Sequence, residues 1–187
     1  MTLYELEKNV LALIEELNPN NANLTDDPDI AAKRRSVINQ RMYELARFKK
    51  IPRYVEMDVT AGDLIEFADI EKICGNEVYQ LNSIKGVNVE LKANGTIFKA
   101  LDSGIAEVEV FVYPERITDD TKPKAYEFEL SPDVLEIMPY GVAADLLLSD
   151  VSANYGQIYI QEFERRLNRL DSRYNMPIYT VEGGVNI

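Results

Sequence analysis

The 187 residues contain no histidine and no tryptophan, and cysteine occurs once. Without histidine there is no Ser-His-Asp or Cys-His nucleophile, no HExxH zinc site and no haem-ligating imidazole. Proton transfer near neutral pH would fall to tuned carboxylates, Lys or Tyr. The single thiol, Cys74, can form no intrachain disulfide. It sits in the run Ile70-Glu71-Lys72-Ile73-Cys74-Gly75 with no His and no basic cluster to lower its pKa, which predicts a buried structural thiol and not a nucleophile. No GxGxxG, GxxxxGK[ST] or CxxC occurs. Long apolar runs are missing as well. The densest stretch, Tyr140 to Leu148, is interrupted by Asp145, and a bilayer-spanning helix needs about 18 or more apolar residues. The first residues have neither a basic nor an apolar leader region, so no signal peptide and no membrane contact are expected. Asn94-Gly95-Thr96 therefore reads as a turn and not as a glycosylation site.

What is present is acid. Twenty basic residues stand against 32 acidic ones, for a net charge of −12. Length and a 46% hydrophobic content fit one domain, or one domain with an insertion, able to bury a core. The charge is unevenly spread: residues 1–32 carry −6, residues 33–53 carry +7, residues 54–150 carry −13, and the last 37 balance. The basic segment holds Lys33, Arg34, Arg35, Arg41, Arg47, Lys49, Lys50 and Arg53 against Glu44 alone. Such a stripe either docks an acidic partner or DNA phosphate, or neutralises acids on its own or a neighbouring subunit. The acidity of the whole chain and the few aromatics among the basic residues argue against direct DNA binding.

Periodicity divides the chain. Thr2-Leu3-Tyr4-Glu5 reads as a capping box, and Leu3, Leu6, Val10, Leu13, Ile14 and Leu17 recur at helical spacing, predicting a helix over about residues 3–17. Residues 18–29 form an Asn/Asp/Pro-rich loop without the Asp-x-Asp-x-Asp-Gly pattern of a calcium site. Asp27-Pro28 is an N-cap and N1 pair that starts a second helix over about 28–48, ended by Pro52. From Arg53 to Leu130 the period is two: Val87, Val89 and Leu91, then Val108, Val110 and Val112, alternate with other residues, and Asn94-Gly95 marks a hairpin. This predicts a small antiparallel β-domain of six to eight strands, a sandwich or barrel. Ser131-Pro132-Asp133 restarts helix, Pro139 kinks or splits it, and a last helix carries Val151, Tyr155, Ile158, Tyr159, Phe163, Leu167 and Leu170 on one face. Pro177 and Gly183-Gly184 bar a helix in residues 172–187. Their content of Tyr174, Met176, Ile178, Tyr179 and Val181 is that of an extended arm pairing with a partner, or of a segment packed on its own domain. The predicted class is α+β: about four bundled helices from residues 1–52 and 131–171, an inserted β-domain at 53–130 and a C-terminal arm at 172–187.

Three carboxylate pairs, Asp69/Glu71, Glu107/Glu109 and Glu127/Glu129, are expected on strand faces. Paired acids are the glycosidase arrangement, yet charges on exposed strands also deter edge aggregation. With no aromatic sugar platform of tryptophan, no enzyme, metal or cofactor is expected.

The stretch Leu135 to Asp150, with Met138-Pro139, Ala143-Ala144 and Asp145, followed by Ala153-Asn154-Tyr155, Tyr159 and Phe163-Glu164-Arg165-Arg166-Leu167, resembles the head–tail connector (adaptor) proteins of tailed phages and prophages. The N-terminal helix pair with its basic second helix is similar too, and the segment around Tyr113-Pro114-Glu115-Arg116-Ile117 resembles the β module that some versions carry between helix pairs. The resemblance implies a structural virion protein: a ring, commonly twelve-fold, beneath the portal in the neck, assembled in the host cytoplasm. Such a ring extends the channel for double-stranded DNA, without binding it specifically, and joins the next neck or tail-completion protein. The residues fit such a ring: the basic stripe offers Lys33, Arg34, Arg35, Arg41, Lys49 and Lys50 for contact with an acidic neighbouring subunit, and the arm offers Tyr174, Met176, Ile178, Tyr179 and Val181 for portal docking. The other class of function open to the chain is a binding module that recognises a carbohydrate or host-surface ligand through exposed aromatics of the β-domain.

Overall fold

The computed structural model describes residues 1–92, 95–148 and 153–174. They form a mixed α+β structure with two small antiparallel sheets of three strands each.

Helix α1 (Leu3–Leu13) opens on the expected capping box: the Glu5 N–H donates to Thr2 Oγ1 at 3.2 Å and the Thr2 N–H to a Glu5 oxygen at 2.8 Å. Leu3, Leu6, Val10 and Leu11 are buried along one face, each stabilising the fold by about 1.5–3 kcal/mol. The helix stops four residues before the expected position. Glu15 adopts φ 62°, and its left-handed backbone turns the chain before Asn18-Pro19 is reached. Helix α2 (Pro28–Phe48) matches its prediction, with the Asp27 carboxylate accepting from the N–H groups of Asp29 and Ile30.

Strands β1 (Ile51–Val59), β3 (Val78–Lys85) and β6 (Gly104–Val112) make one sheet in the order β1-β6-β3. Strands β2 (Leu64–Glu66), β4 (Val89–Lys92) and β5 (Ile97–Ala100) make the other in the order β2-β5-β4. β4 and β5 pair antiparallel on either side of the expected Asn94-Gly95 hairpin, in register Lys92↔Ile97 and Leu91↔Phe98, and Asn94 itself lies outside the described residues. Ala106, Val108, Val110 and Val112 of β6 and Phe98 and Ala100 of β5 lie in the same apolar core as the helices.

Two expectations within 53–130 fail. Residues Phe67–Cys74 form a helix, α3, and not a strand. The Asp69 carboxylate accepts the Glu66 N–H at its start, Ile70 is buried, and Gly75 at φ 76° closes it. Asp69 and Glu71 are thus helical residues. After Val112 the described chain contains no further strand before Leu130. Glu127 makes only an isolated bridge to Thr2, so Glu127/Glu129 is not a strand pair. Cys74 is only partly buried.

Pro139 splits the helix it was expected to kink or split: α4 (Pro132–Leu135) is separate from α5 (Met138–Leu148). α5 is apolar around its circumference except at Asp145, as befits a central helix. Met138, Val142, Ala143 and Ala144 are fully covered, and α1, α2, α4 and α6 (Ala153–Tyr174) all pack on it. Gly141 permits a close approach of α6: a Cβ there would lie 3.0 Å from the Phe163 ring. Helix α6 runs through Tyr174, three residues into the segment expected to be an arm, so Tyr174 is helical, and Met176, Ile178, Tyr179 and Val181 lie outside the described residues. On α6, Phe163 faces the core as predicted, but Tyr155 and Ile158 are exposed at 65% and 60%.

Candidate functional site

The basic residues of α2 were the strongest candidate surface, and the structure gives most of them partners within the chain. Arg34 is 6% exposed and therefore belongs to no surface. Its Nε donates to Glu7 Oε1 at 2.9 Å, and its Nη1 donates to the Asn23 carbonyl, tying α1 to the loop that precedes α2. Burial pushes the Glu7 carboxyl up from its ordinary pKa, and the Arg34 charge pulls it back. Arg41 binds Asp145 of α5 with two bonds of 2.6 Å and Glu44 with one of 2.7 Å, and lies over the Phe163 ring at 5.0 Å. One guanidinium thus joins α2, α5 and α6. Arg35 donates to the Thr118 carbonyl at 2.8 Å.

Lys49 Nζ reaches both Asp133 oxygens, at 2.9 and 2.7 Å. Partial burial would raise the Asp133 pKa. Hydrogen bonding and charge from Lys49 outweigh it and hold the carboxyl at about 2. Lys50 is exposed, with Nζ 4.5 Å from the Phe111 ring centre, and Lys33 is exposed. Of the six residues expected at a subunit contact, Arg34 and Arg41 are removed from it by burial and bidentate pairing. Lys33 and Lys50 retain the exposure such a contact requires.

An aromatic joint missed by periodicity links α2 to the sheet. Tyr43 stacks on Tyr113 at 4.5 Å between centroids, Tyr79 tilts against Tyr113 at 4.7 Å, and Arg47 lies 5.3 Å from the Tyr113 ring centre. The Tyr79 hydroxyl donates to the Ala46 carbonyl, and burial pushes its pKa up to about 12. Tyr-rich sequence at 43, 79 and 113 was the available signal, but three residues so far apart reveal no stacking until the chain is folded.

The outer face of β1-β6-β3 is acidic. Glu56 stands directly opposite Glu107, and Tyr54 opposite Glu109. Like charges in direct cross-strand register cost stability, and Lys85 on the far side of Glu107 offsets part of that cost. Tyr54 is 76% exposed and its hydroxyl donates to Glu109 at 2.8 Å; Asn82 Nδ2 donates to the same carboxylate at 2.6 Å. These bonds hold Glu109 below its ordinary pKa. Of the aromatics in residues 53–130, on which a carbohydrate site would draw, Tyr54 is the exposed one. Phe98, Tyr113 and Phe128 are buried, and Phe67, Tyr79, Phe111 and Tyr126 are half-buried.

Among the described residues no group of three or more Cys, Asp or Glu side chains is placed to hold a metal ion. No helix among them is long and apolar enough to cross a membrane. No family model matches the chain, and no curated protein matches it.

Proposed function

We propose that this chain is a structural assembly protein, a subunit of a connector ring that joins a phage capsid portal to the neck or tail protein beneath it. In this reading residues 1–52 and 131–171 act as the helical connector domain and residues 53–130 as its β insertion. The observation that carries it is the position of α5 and α6. Of the two helices that bear the resemblance, α5 is the packing centre of the helical part, with α1, α2, α4 and α6 seated on it. The resemblance therefore rests on residues that organise the subunit and not on a peripheral segment.

Charge supports the same reading. The cations of 33–53 are largely taken up inside the subunit by Glu7, Asp145, Asp133 and Glu129. The outward surface is left acidic, and such a surface around a channel repels phosphate and lets DNA slide. Lys33 and Lys50 are the basic groups of the expected contact that remain exposed for the acidic face of a neighbour, in the heterologous geometry that closes rings.

Mass photometry of the chain, alone and mixed with a phage portal protein, tests the proposal. A stable portal complex carrying a ring of about twelve copies is the expected result. Absence of any complex, together with absence of the chain from purified virions, would overturn it. Tyr54 supports one second reading, a ligand-binding face: an exposed ring beside Glu109, Asn82 and Ser83 is a minimal sugar platform. A glycan array probed with the full chain and with Tyr54→Ala distinguishes it, since the ring reading expects no glycan signal from either.

A further inference from the structure

The β4 edge of the second sheet is incomplete in a specific way. In the row that faces the core, Ile65 of β2 is 5% exposed, Phe98 of β5 is 1% exposed, and Leu91 of β4 is 57% exposed. β4 is the last strand in the order β2-β5-β4, so nothing among the described residues continues the row beyond it.

The backbone has the matching orientation. The Leu101 N–H donates to the Asn88 carbonyl at 2.9 Å, which makes Asn88·Leu101 a hydrogen-bonded pair. Hydrogen-bonded and non-hydrogen-bonded pairs alternate along an antiparallel ladder. Glu90·Lys99 and Lys92·Ile97 are therefore bonded pairs, and the N–H and C=O of Val89 and Leu91 point away from β5. The same alternation holds on the other side of β5, where the Ala100 N–H and C=O bond to Asp63 and Gly62 of the β2 side. Leu91 thus offers an exposed aliphatic side chain and an outward backbone donor and acceptor at one position.

The three residues Glu90-Leu91-Lys92 are also self-complementary. Laid antiparallel against a second copy with Leu91 on the two-fold axis, they place Leu91 opposite Leu91, Glu90 opposite Lys92 and Lys92 opposite Glu90. Glu90 and Lys92 share one face of the strand, where they now approach each other at 3.5 Å, both half-exposed. A charged edge normally repels strand addition. Here each edge charge meets its opposite.

We propose that β4 is a self-association edge, and that the partner it fits is the β4 of a second copy of this chain, forming a two-fold dimer with a continuous six-stranded sheet. The pairing exchanges the Leu91 N–H and C=O reciprocally, buries both Leu91 side chains and converts the intrastrand Glu–Lys contacts into two cross-strand pairs. This dimer does not depend on a portal and describes the chain before any assembly. The contact is small, well below the roughly 1,200 Å² of stable interfaces, so the expected affinity is weak, with a Kd of about 10–500 μM.

Sedimentation velocity of the full chain between low micromolar and millimolar concentration reads the dimer directly. Glu90→Lys alone and Lys92→Glu alone each place like charges opposite one another and are expected to be monomers, with at least a tenfold loss of affinity. An equimolar mixture of the two variants pairs Lys with Glu at both positions and restores dimers. The double variant E90K/K92E, which reverses the polarity and keeps the complementarity, dimerises like the natural chain. All these positions are exposed, and circular dichroism verifies that each variant is folded. A natural chain that stays monomeric to millimolar concentration would overturn the proposal. So would single variants that associate unchanged, or a mixture that fails to restore pairing.

Discussion

Charge neutralisation in this protein is carried by individual side chains with individual partners. Glu7 and Arg34 form the most buried pair, with side chains 2% and 8% exposed. Removing one member leaves the other charged and dry, so Glu7→Ala is expected to cost about 3–5 kcal/mol and Glu7→Gln, which keeps a hydrogen-bond acceptor, clearly less. Urea denaturation of the two variants at pH 7 measures the difference.

Asp133 gives a pH dependence. Its carboxyl lies at about 2 in the folded chain against an ordinary 3.8. A carboxyl whose pKa is lowered by folding stabilises the fold above its unfolded pKa and loses that contribution as pH falls toward the folded one. Asp133→Asn is therefore expected to lower Tm at pH 7, with the gap from the natural chain closing between about pH 4 and pH 2. Thermal melts across that range check it. A gap that is constant with pH would remove the Lys49 pairing as its cause.

At the scale of elements, the helices were legible because their signals are local. The Thr2–Glu5 box, the Asp27-Pro28 start and the break at Pro139 each act within one turn of the chain. The end of α1 was not legible, since a left-handed Glu15 leaves no mark in composition. α3 was missed although Phe67, Ile70 and Cys74 recur at helical spacing before Gly75, because eight residues of that pattern lie inside a long stretch of period two. Tertiary contact at Ile70 and closure by Gly75 decide the outcome.

The turn at Gly86 is held in another way. Its φ is 84°, and a Cβ there would sit 2.3 Å from the Ile105 carbonyl oxygen, a backbone atom that cannot rotate aside. Gly86→Ala is expected to cost about 2–4 kcal/mol, from left-handed strain and overpacking together. Gly62→Ala, at φ 100° with open space around the added methyl, isolates the strain alone and should cost less. Equilibrium unfolding of both separates the two terms.

For the whole molecule, the question is which charges remain available to a neighbour. Charge reversal of Arg34 or Arg41 would damage the subunit itself, because both are bound inside it. The informative variant is Lys33→Glu with Lys50→Glu. Both residues are exposed, so stability should change by less than about 1 kcal/mol while assembly on a portal is lost. Unchanged assembly by mass photometry would exclude these lysines from ring closure.

The sequence by itself determined the acidic character, the placement of the basic stripe, helices α2 and α5 and the β4–β5 hairpin. Each depends on residues adjacent in the chain or on a short period. Only the tertiary structure decided where the basic stripe spends its charge, because Arg41 and Asp145 are 104 positions apart. It alone decided which aromatics stay exposed. It alone also showed that β4 lies at a sheet edge, since strand order depends on pairings between distant segments. The tripeptide Glu90-Leu91-Lys92 is plain in the sequence, but its complementarity acquires meaning only through the open sheet edge it occupies.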